Sequence, residues 1–192
     1  MLASIHPLGE RSRRQRWGLT AAAYVTATVT AAALLGGVLG LVGSWLPAVP
    51  SWAALLALAL SGVALDLRSS VPTIHRQVDE EWLTRYRGWV YGASYGFQLG
   101  LGVVTVVSTF TVYLAFALAL LSGSAAAGLA IGTAFGLVRG LTIFAAAGVR
   151  SPDQLHRLHR RVAAWDGATR RLAVAVQAMV AVGGGMAAAA RW

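Results

Sequence analysis

Long apolar stretches alternate along the chain with short segments that hold most of its charged residues. A helix needs about 20 apolar residues to cross the ~30 Å hydrocarbon core of a bilayer. The pattern predicts an all-α polytopic membrane protein with about five transmembrane helices, in a single integral membrane domain over residues 1–192. The predicted spans cover residues of about 18–46, 51–68, 89–121, 125–149 and 172–190.

The third apolar stretch is too long for one straight crossing. Residues 89–121 would extend about 50 Å as a single helix, well beyond the hydrocarbon core. We expect this helix to tilt, to protrude or to break, and glycine is a poor residue inside a helix. The predicted place for a break is the segment with Gly96, Gly100 and Gly102.

Two polar segments have the apolar spacing of amphipathic helices. One covers residues of about 73–87, and the other covers about 152–168 after the helix-start sequence Ser151-Pro152-Asp153-Gln154. They predict two cytoplasmic surface helices that contact lipid headgroups. A solvated connecting helix explains the first segment equally well. The residues assigned to this lipid-facing surface are Trp82, Trp165, Arg157, Arg160 and Arg161.

Glycine recurs every fourth residue in the third and fourth apolar stretches. Residues four apart lie on one helix face, so each series predicts a groove with almost no side chains, in which another helix can pack closely. Folding the two stretches about the turn at Gly123 places the two series at different heights. We therefore expect each series to receive a different neighbour. The helix-packing residues are Gly88, Gly92, Gly96 and Gly100 in the first series, and Gly128, Gly132, Gly136 and Gly140 in the second.

The composition supports a membrane setting. Charged residues make up 12% of the chain and apolar residues 57%, whereas soluble proteins contain about 25% charged residues. All 16 basic residues are arginine, and the net charge is +9. Because these charges lie between apolar stretches, they predict contact with anionic lipid headgroups and not with nucleic acid. Arginine without lysine, together with abundant alanine, suggests a bacterial source.

The distribution of arginine predicts the orientation. Four arginines precede the first predicted span, four lie between the second and third when Arg68 at the end of the second span is counted, and six lie between the fourth and fifth. By the positive-inside rule, the N-terminus is cytoplasmic and, with five spans, the C-terminus is outside. The predicted location is the bacterial cytoplasmic (inner) membrane, with multiple crossings.

No residue pattern indicates catalysis. The chain has no cysteine, and its four histidines lie outside the predicted spans, which disfavours thiol chemistry and a transmembrane haem. No phosphate-binding loop, nucleophile–base arrangement or pair of intramembrane carboxylates is present. We predict that the protein is not an enzyme and holds no metal or cofactor.

Arg139 is the most informative charged residue, because an arginine inside a span costs at least ~2.5 kcal/mol and normally has a partner or a function. Asp66 lies at a similar predicted depth and is its expected partner. The favoured explanation of Arg139 is an ion pair that holds two spans together or an arginine that reaches toward headgroups, and a site for an anionic or polar ligand is the alternative. The candidate intramembrane polar site consists of Arg139, Asp66, Gln98, Thr105, Ser108 and Thr109.

The segment Tyr91-Gly-Ala-Ser-Tyr-Gly-Phe-Gln-Leu-Gly-Leu-Gly102, followed by Gly132-Thr-Ala-Phe-Gly-Leu-Val-Arg-Gly-Leu141, resembles the glycine-rich helices of CcdA/DsbD-type membrane proteins of the LysE-like superfamily. The reactive cysteine of that family and its neighbouring proline have no counterpart here, so thiol relay chemistry does not carry over. The resemblance implies a transporter-like or accessory relative.

Two functions fit these features. The favoured one is a non-catalytic interaction or scaffold subunit of a membrane complex or homo-oligomer, whose partners are other membrane proteins or further copies of the chain. The alternative is a small transporter-like protein that moves a small or anionic solute past Arg139.

Overall fold

A computed structural model describes residues 5–46, 51–68, 85–102 and 110–189. The regular structure in these residues is all helical, which confirms the prediction of an all-α chain. The helices are α1 (Pro7–Ser12), α2 (Trp17–Trp45), α3 (Ser51–Leu67), α4 (Gly88–Leu101), α5 (Thr111–Leu121), α6 (Ala125–Leu141), the short 3-10 helix η1 (Thr142–Ala146) and α7 (Pro152–Ala189).

Two segments are long and apolar enough to cross a bilayer: α2, with 29 residues, and the 22 residues of α6 and η1 together. Residues 53–67 of α3 and the whole of α5 are apolar but shorter. The prediction of five transmembrane helices is therefore not supported by the described part of the chain. The predicted span at 89–121 is divided between two helices, and the predicted span at 172–190 continues directly from a polar segment. The apolar stretches therefore do not each correspond to one helix.

The third apolar stretch is interrupted near one of the glycines that predicted a break. Helix α4 ends at Leu101, and Gly102 follows with a φ angle of 68°, a left-handed conformation that glycine adopts without a steric penalty. Helix α5 begins at Thr111. The two halves, with 14 and 11 residues, are each shorter than a bilayer crossing requires.

The last two predicted elements form one helix. Helix α7 is continuous over 38 residues, so the predicted boundary between a surface helix at 152–168 and a span at 172–190 is wrong. Gly167 lies inside the helix but does not end it, because a single glycine costs only about 1 kcal/mol and no proline follows.

Helix α2 is the central element of the fold, and α4 runs beside it in the same direction. Gly92 lies against Thr20, and Gly100 lies against Thr28, so the glycine side of α4 meets successive turns of α2. A side chain on these glycines would occupy the same space as the α2 backbone. The absence of side chains is what allows the two backbones to come this close.

Helix α6 packs against α2 in the opposite direction. Gly128 lies beside Gly36, and Gly136 lies beside Val29. The two glycine series do not face each other, as predicted, but the expectation that each receives a different neighbour is wrong. Both pack on α2, which at about 43 Å is long enough to receive α4 near its beginning and α6 farther along.

A second group of helices is built around α3, which packs mainly against α7 and also touches α5. The apolar half of α7 turns Ala173, Gln177 and Ala181 inward, at the spacing of four that places them on one face. Most of the rest of α7 is exposed, including Trp165 and Met179. The two groups of helices therefore meet at α5.

Candidate functional site

A buried carboxylate lies where the N-terminal segment meets α2 and α4. Glu10, in α1, is completely buried and accepts hydrogen bonds from three side chains. Thr20 Oγ1 donates to Oε2 at 2.7 Å, Arg13 Nη2 donates to Oε1 at 2.9 Å, and the Tyr91 hydroxyl donates to Oε1. Arg13 also lies over the Tyr91 ring, with its guanidinium carbon 5.7 Å from the ring centre. Arg13 thus balances the charge of Glu10, and two hydroxyl groups donate further hydrogen bonds to its carboxylate.

The local sequence explains how Glu10 reaches this position. Pro7 stands in the first turn of α1, and the His6 imidazole accepts the Gly9 N–H at 3.1 Å, so α1 has a defined start. The backbone N–H of Gly88, at the start of α4, donates to Gln15 Oε1 at 3.1 Å. The segment before α2 therefore holds the beginnings of α2 and α4 together.

Glu10 is not among the residues that the sequence patterns single out, because it stands directly before the arginine-rich flank. Glu10 is the sole acidic residue among the first 65 residues. An isolated acid within a basic flank is a signal that it has a specific partner. Its partner across the fold, Tyr91, gives no comparable signal, because tyrosines near span ends are common.

A second buried carboxylate joins three helices. Asp66, near the end of α3, is 2% exposed. Its Oδ1 accepts the backbone N–H of Phe110 at 2.9 Å, and its Oδ2 accepts Gln177 Nε2 at 2.6 Å. The same nitrogen of Gln177 lies 3.2 Å from Thr111 Oγ1. Asp66 therefore binds the start of α5 and the middle of α7, and Gln177 was not among the predicted site residues.

The predicted pair of Arg139 and Asp66 does not form. The Arg139 guanidinium lies over the Phe135 ring of its own helix, 5.5 Å from the ring centre, whereas Asp66 faces α5 and α7. Within the described residues, the one salt bridge joins Arg13 and Glu10. The depth of the two residues along their spans suggested the pair, but depth does not determine which helices are neighbours. Helix α6 packs along α2 and not against α3.

The other predicted polar residues are also apart from Arg139 as far as the structure describes them. Gln98, on α4, lines an open groove of about 440 Å³ with Ala27 and Phe97. Its groove lies between α2 and α4. The three predicted hydroxyl residues, Thr105, Ser108 and Thr109, lie outside the described residues.

The side chains of the arginine-rich half of α7 are largely exposed, as the prediction of a lipid-contacting surface helix requires. Trp165 is 68% exposed, and Arg160 is exposed nearby. Arg157 and Arg161, one helical turn apart, line a groove of about 300 Å³ beside Gly148. Trp82 and most of the predicted surface helix at 73–87 lie outside the described residues. Contact of these residues with lipid stays a prediction.

The side chains at these sites can form hydrogen bonds and ion pairs that connect helices. Each buried carboxylate accepts hydrogen bonds from groups on other helices and so connects these helices. No group of three or more histidine, aspartate or glutamate side chains suited to a metal ion occurs in the part of the chain that the structure describes. The absence of an enzymatic activity and of a cofactor stays a prediction.

The position of Arg139 leads to a test of its structural contribution. Arg139→Met keeps the aliphatic packing but removes the cation above Phe135, so we expect a double-mutant cycle with Phe135→Leu to give a coupling free energy of about 0.5–2 kcal/mol. Unfolding of the purified protein in detergent, followed by circular dichroism, measures this coupling. In a Phe135→Leu background the same substitution should cost less, and an equal cost in both backgrounds would contradict a contact between the two side chains.

Three known proteins that are similar to the chain share one name. The chain is 32% identical over 152 residues to the methylamine utilization protein MauF of Methylophilus methylotrophus, covering 74% of this chain and 53% of that protein. It is 33% identical over 153 residues to MauF of Paracoccus versutus, covering 77% and 56%. It is 37% identical over 120 residues to MauF of Paracoccus denitrificans, covering 58% and 43%. The chain spans about half the length of these relatives.

No protein-family model matches the chain, and no solved structure matches it. The similarity to three MauF proteins overturns the resemblance to CcdA/DsbD-type proteins. That resemblance depended on glycine spacing, and the structure shows the spacing to be a property of close helix packing on α2. Small residues at every fourth position are common wherever two helix backbones approach closely, so glycine at this spacing does not distinguish one family from another.

Proposed function

We propose that the chain is a non-catalytic accessory protein of methylamine utilization, embedded in the bacterial cytoplasmic membrane, where it acts through contacts with other membrane proteins. The observation that carries this proposal is the similarity to three proteins named for methylamine utilization, over 58–77% of the chain. The two buried carboxylates, Glu10 and Asp66, each accept hydrogen bonds from more than one helix and support a structural role.

The outer surface of the helices supports the membrane setting. Large apolar side chains point outward from α2 and α6, among them Val38 at 56% exposure and Val138 at 74%. Exposed apolar residues in such number along long helices are unfavourable in water and favourable against lipid or a partner helix. We infer several crossings with the N-terminus in the cytoplasm, because the arginines cluster on that side.

Lipid and protein contacts are assigned to different surfaces in this proposal. The groove lined by Arg157 and Arg161 suits an anionic headgroup, since two guanidinium groups face one opening beside an exposed tryptophan, Trp165. The outward faces of α2 and α6 suit other membrane subunits or a further copy of the chain. Both glycine series are already occupied by α2 within the chain, so they do not supply the partner surface.

The transporter alternative is not retained. The names of the relatives denote utilization of methylamine and give no support to transport. The polar groups that were expected to line a path for a solute are also separated, with Arg139 beside Phe135 and Asp66 beside Gln177.

A chimera tests the proposed function. The matched segment of MauF in Paracoccus denitrificans would be replaced by the corresponding segment of this chain, in a strain that lacks its own MauF. We expect the chimera to support growth on methylamine as the sole nitrogen source, while the deletion strain is measured as the baseline. Growth on ammonium serves as the control, because a specific role in methylamine utilization leaves it unchanged.

The same cells test the contact with other proteins. An affinity-tagged chimera, extracted in mild detergent and separated on a native gel, should migrate with additional membrane proteins. A chimera that accumulates in the membrane at the level of native MauF but gives no growth on methylamine would contradict the proposed function. A clean homo-oligomer without other proteins would contradict the subunit role.

A further inference from the structure

The open groove between α2 and α4 contains a side-chain amide without a hydrogen-bond partner. The groove has a volume of about 440 Å³, and its lining residues are Ala27 of α2 and Ala93, Ser94, Phe97 and Gln98 of α4. The amide of Gln98 carries two donor hydrogens and an oxygen with two lone pairs. Within the part of the chain that the structure describes, neither end of this amide forms a hydrogen bond.

The position of this amide along α2 corresponds to the middle of a bilayer. The arginine-rich flank ends at Arg16, and the apolar helix begins at Trp17. Ala27, which lines the groove together with Gln98, lies about 15 Å farther along the helix. That distance is half of the ~30 Å hydrocarbon core, where an amide without a partner is unfavourable because no water reaches it. Gln98 therefore needs a partner from another molecule.

A second copy of the chain satisfies this amide, because an amide is complementary to itself. Its nitrogen donates and its oxygen accepts, so two amides related by a two-fold axis form a reciprocal pair of hydrogen bonds. Copies that insert with the same orientation are related by an axis along the membrane normal. A residue near that axis therefore meets the same residue of the other copy, at the same depth.

The surface around Gln98 also suits close contact between two copies. Ala27, Ala93 and Ser94 are small, which lets helix backbones approach each other. The Ser94 hydroxyl already donates to a backbone oxygen of its own helix, at 3.0 Å, so it does not compete for the amide. Phe97 lines the groove and is 48% exposed. The same patch thus presents an apolar ring and a hollow, as contact between two identical surfaces requires.

We propose that the groove between α2 and α4 is the contact surface of a homodimer, in which the Gln98 amides of the two copies form reciprocal hydrogen bonds. A lipid chain would fill the groove but would leave the amide without a partner. The outward face of α6 stays available for other membrane proteins. The inference rests on the membrane setting proposed above and identifies one partner of the chain as a second copy.

Sedimentation equilibrium of the purified full chain, at several ratios of protein to mild detergent, measures the dissociation constant of the dimer. We expect Gln98→Leu to raise this constant about tenfold, because two interhelical hydrogen bonds are lost and each is modest in an apolar medium. The matched control is Thr133→Val on α6. The Thr133 hydroxyl donates to Leu129 O of its own helix at 2.8 Å, so its removal should leave the dissociation constant unchanged.

Cross-linking in membranes locates the contact while Gln98 stays intact. The chain has no cysteine, so a single introduced cysteine reports only its own position. With a short bis-maleimide, Ser94→Cys in the groove should give a cross-linked dimer. Met179→Cys, at a 65% exposed position of α7, should stay monomeric under the same conditions. Equal cross-linking of the two variants reflects random collisions and overturns the proposed surface.

The remaining outcomes are also decisive. An unmodified protein that is monomeric at every ratio overturns the homodimer, and so does a Gln98→Leu dimer with an unchanged dissociation constant. Where Gln98→Leu does not fold, the comparison of Ser94→Cys with Met179→Cys decides. A monomeric chain whose chimera supports growth on methylamine removes only the homodimer. A dimeric chain whose chimera gives no growth removes only the accessory function.

Discussion

Replacing Gly132 by leucine should separate α6 from α2 and lower the free energy of unfolding by about 3 kcal/mol or more. A Cβ at this position would lie 2.9 Å from the carbonyl carbon of Ala32 and 3.0 Å from the Cα of Ala33. These are backbone atoms, so no side chain can rotate to make room. Overpacking of a well-packed interior costs about 1–3 kcal/mol when side chains can adjust, and here two backbones must move instead.

The matched control is Gly183→Leu, in α7. Gly183 is also inside a helix, but a Cβ there would meet nothing within 4 Å. Because leucine is the better helix former by up to about 1 kcal/mol, this change should leave stability equal or slightly higher. Unfolding titrations in detergent, followed by circular dichroism, measure both variants. Equal stabilities of the two would contradict the close contact of α2 and α6.

The first glycine series allows the same comparison at another height of α2. A Cβ at Gly96 would lie 2.9 Å from the carbonyl carbon of Tyr24 and 3.0 Å from Thr28 Oγ1. Gly96→Leu should therefore destabilise the contact of α4 with α2 to a similar degree. Since the two contacts use different turns of α2, the effects of Gly96→Leu and Gly132→Leu measure the two interfaces separately.

The bounds of α2 could be predicted because they depend on local sequence. Helix α2 begins after the arginine-rich flank at Arg16, and its 29 residues match the predicted span closely. The end of α4 could also be anticipated, since Gly102 adopts a conformation that other residues avoid. Both features follow from hydropathy and from backbone preferences, which act on a few neighbouring residues.

The side-chain partners could not be predicted, because they depend on which helix faces which. Depth along a span suggested that Arg139 pairs with Asp66, but the packing of glycine faces places α6 on α2 and leaves Asp66 to α5 and α7. Gln177 stands in a stretch that hydropathy describes only as apolar. Its contact with Asp66 depends on how α7 is rotated about its axis, and the mean hydropathy of a stretch does not contain this information.

The buried carboxylate of Glu10 leads to the second large effect. Glu10→Ala should lower the free energy of unfolding by about 3 kcal/mol, because it leaves the hydroxyls of Thr20 and Tyr91 without their charged acceptor and leaves Arg13 without its counter-charge. Arg13 is partly exposed, at 24%, so water offsets some of its loss. Glu10→Gln retains an acceptor of nearly the same shape and should cost less than Glu10→Ala.

Limited proteolysis shows whether Glu10→Ala lowers the stability of the whole protein or releases the N-terminal segment locally. Trypsin cleaves after arginine, and Arg11, Arg13 and Arg14 all lie in the segment that Glu10 holds. Cleavage requires local opening, so Glu10→Ala should be cut there before the rest of the chain is attacked. Asp153→Asn, at an exposed carboxylate, should be cut at the rate of the unmodified protein. If Glu10→Ala resists trypsin in this segment as the unmodified protein does, the contacts of Glu10 do not hold α1 in place.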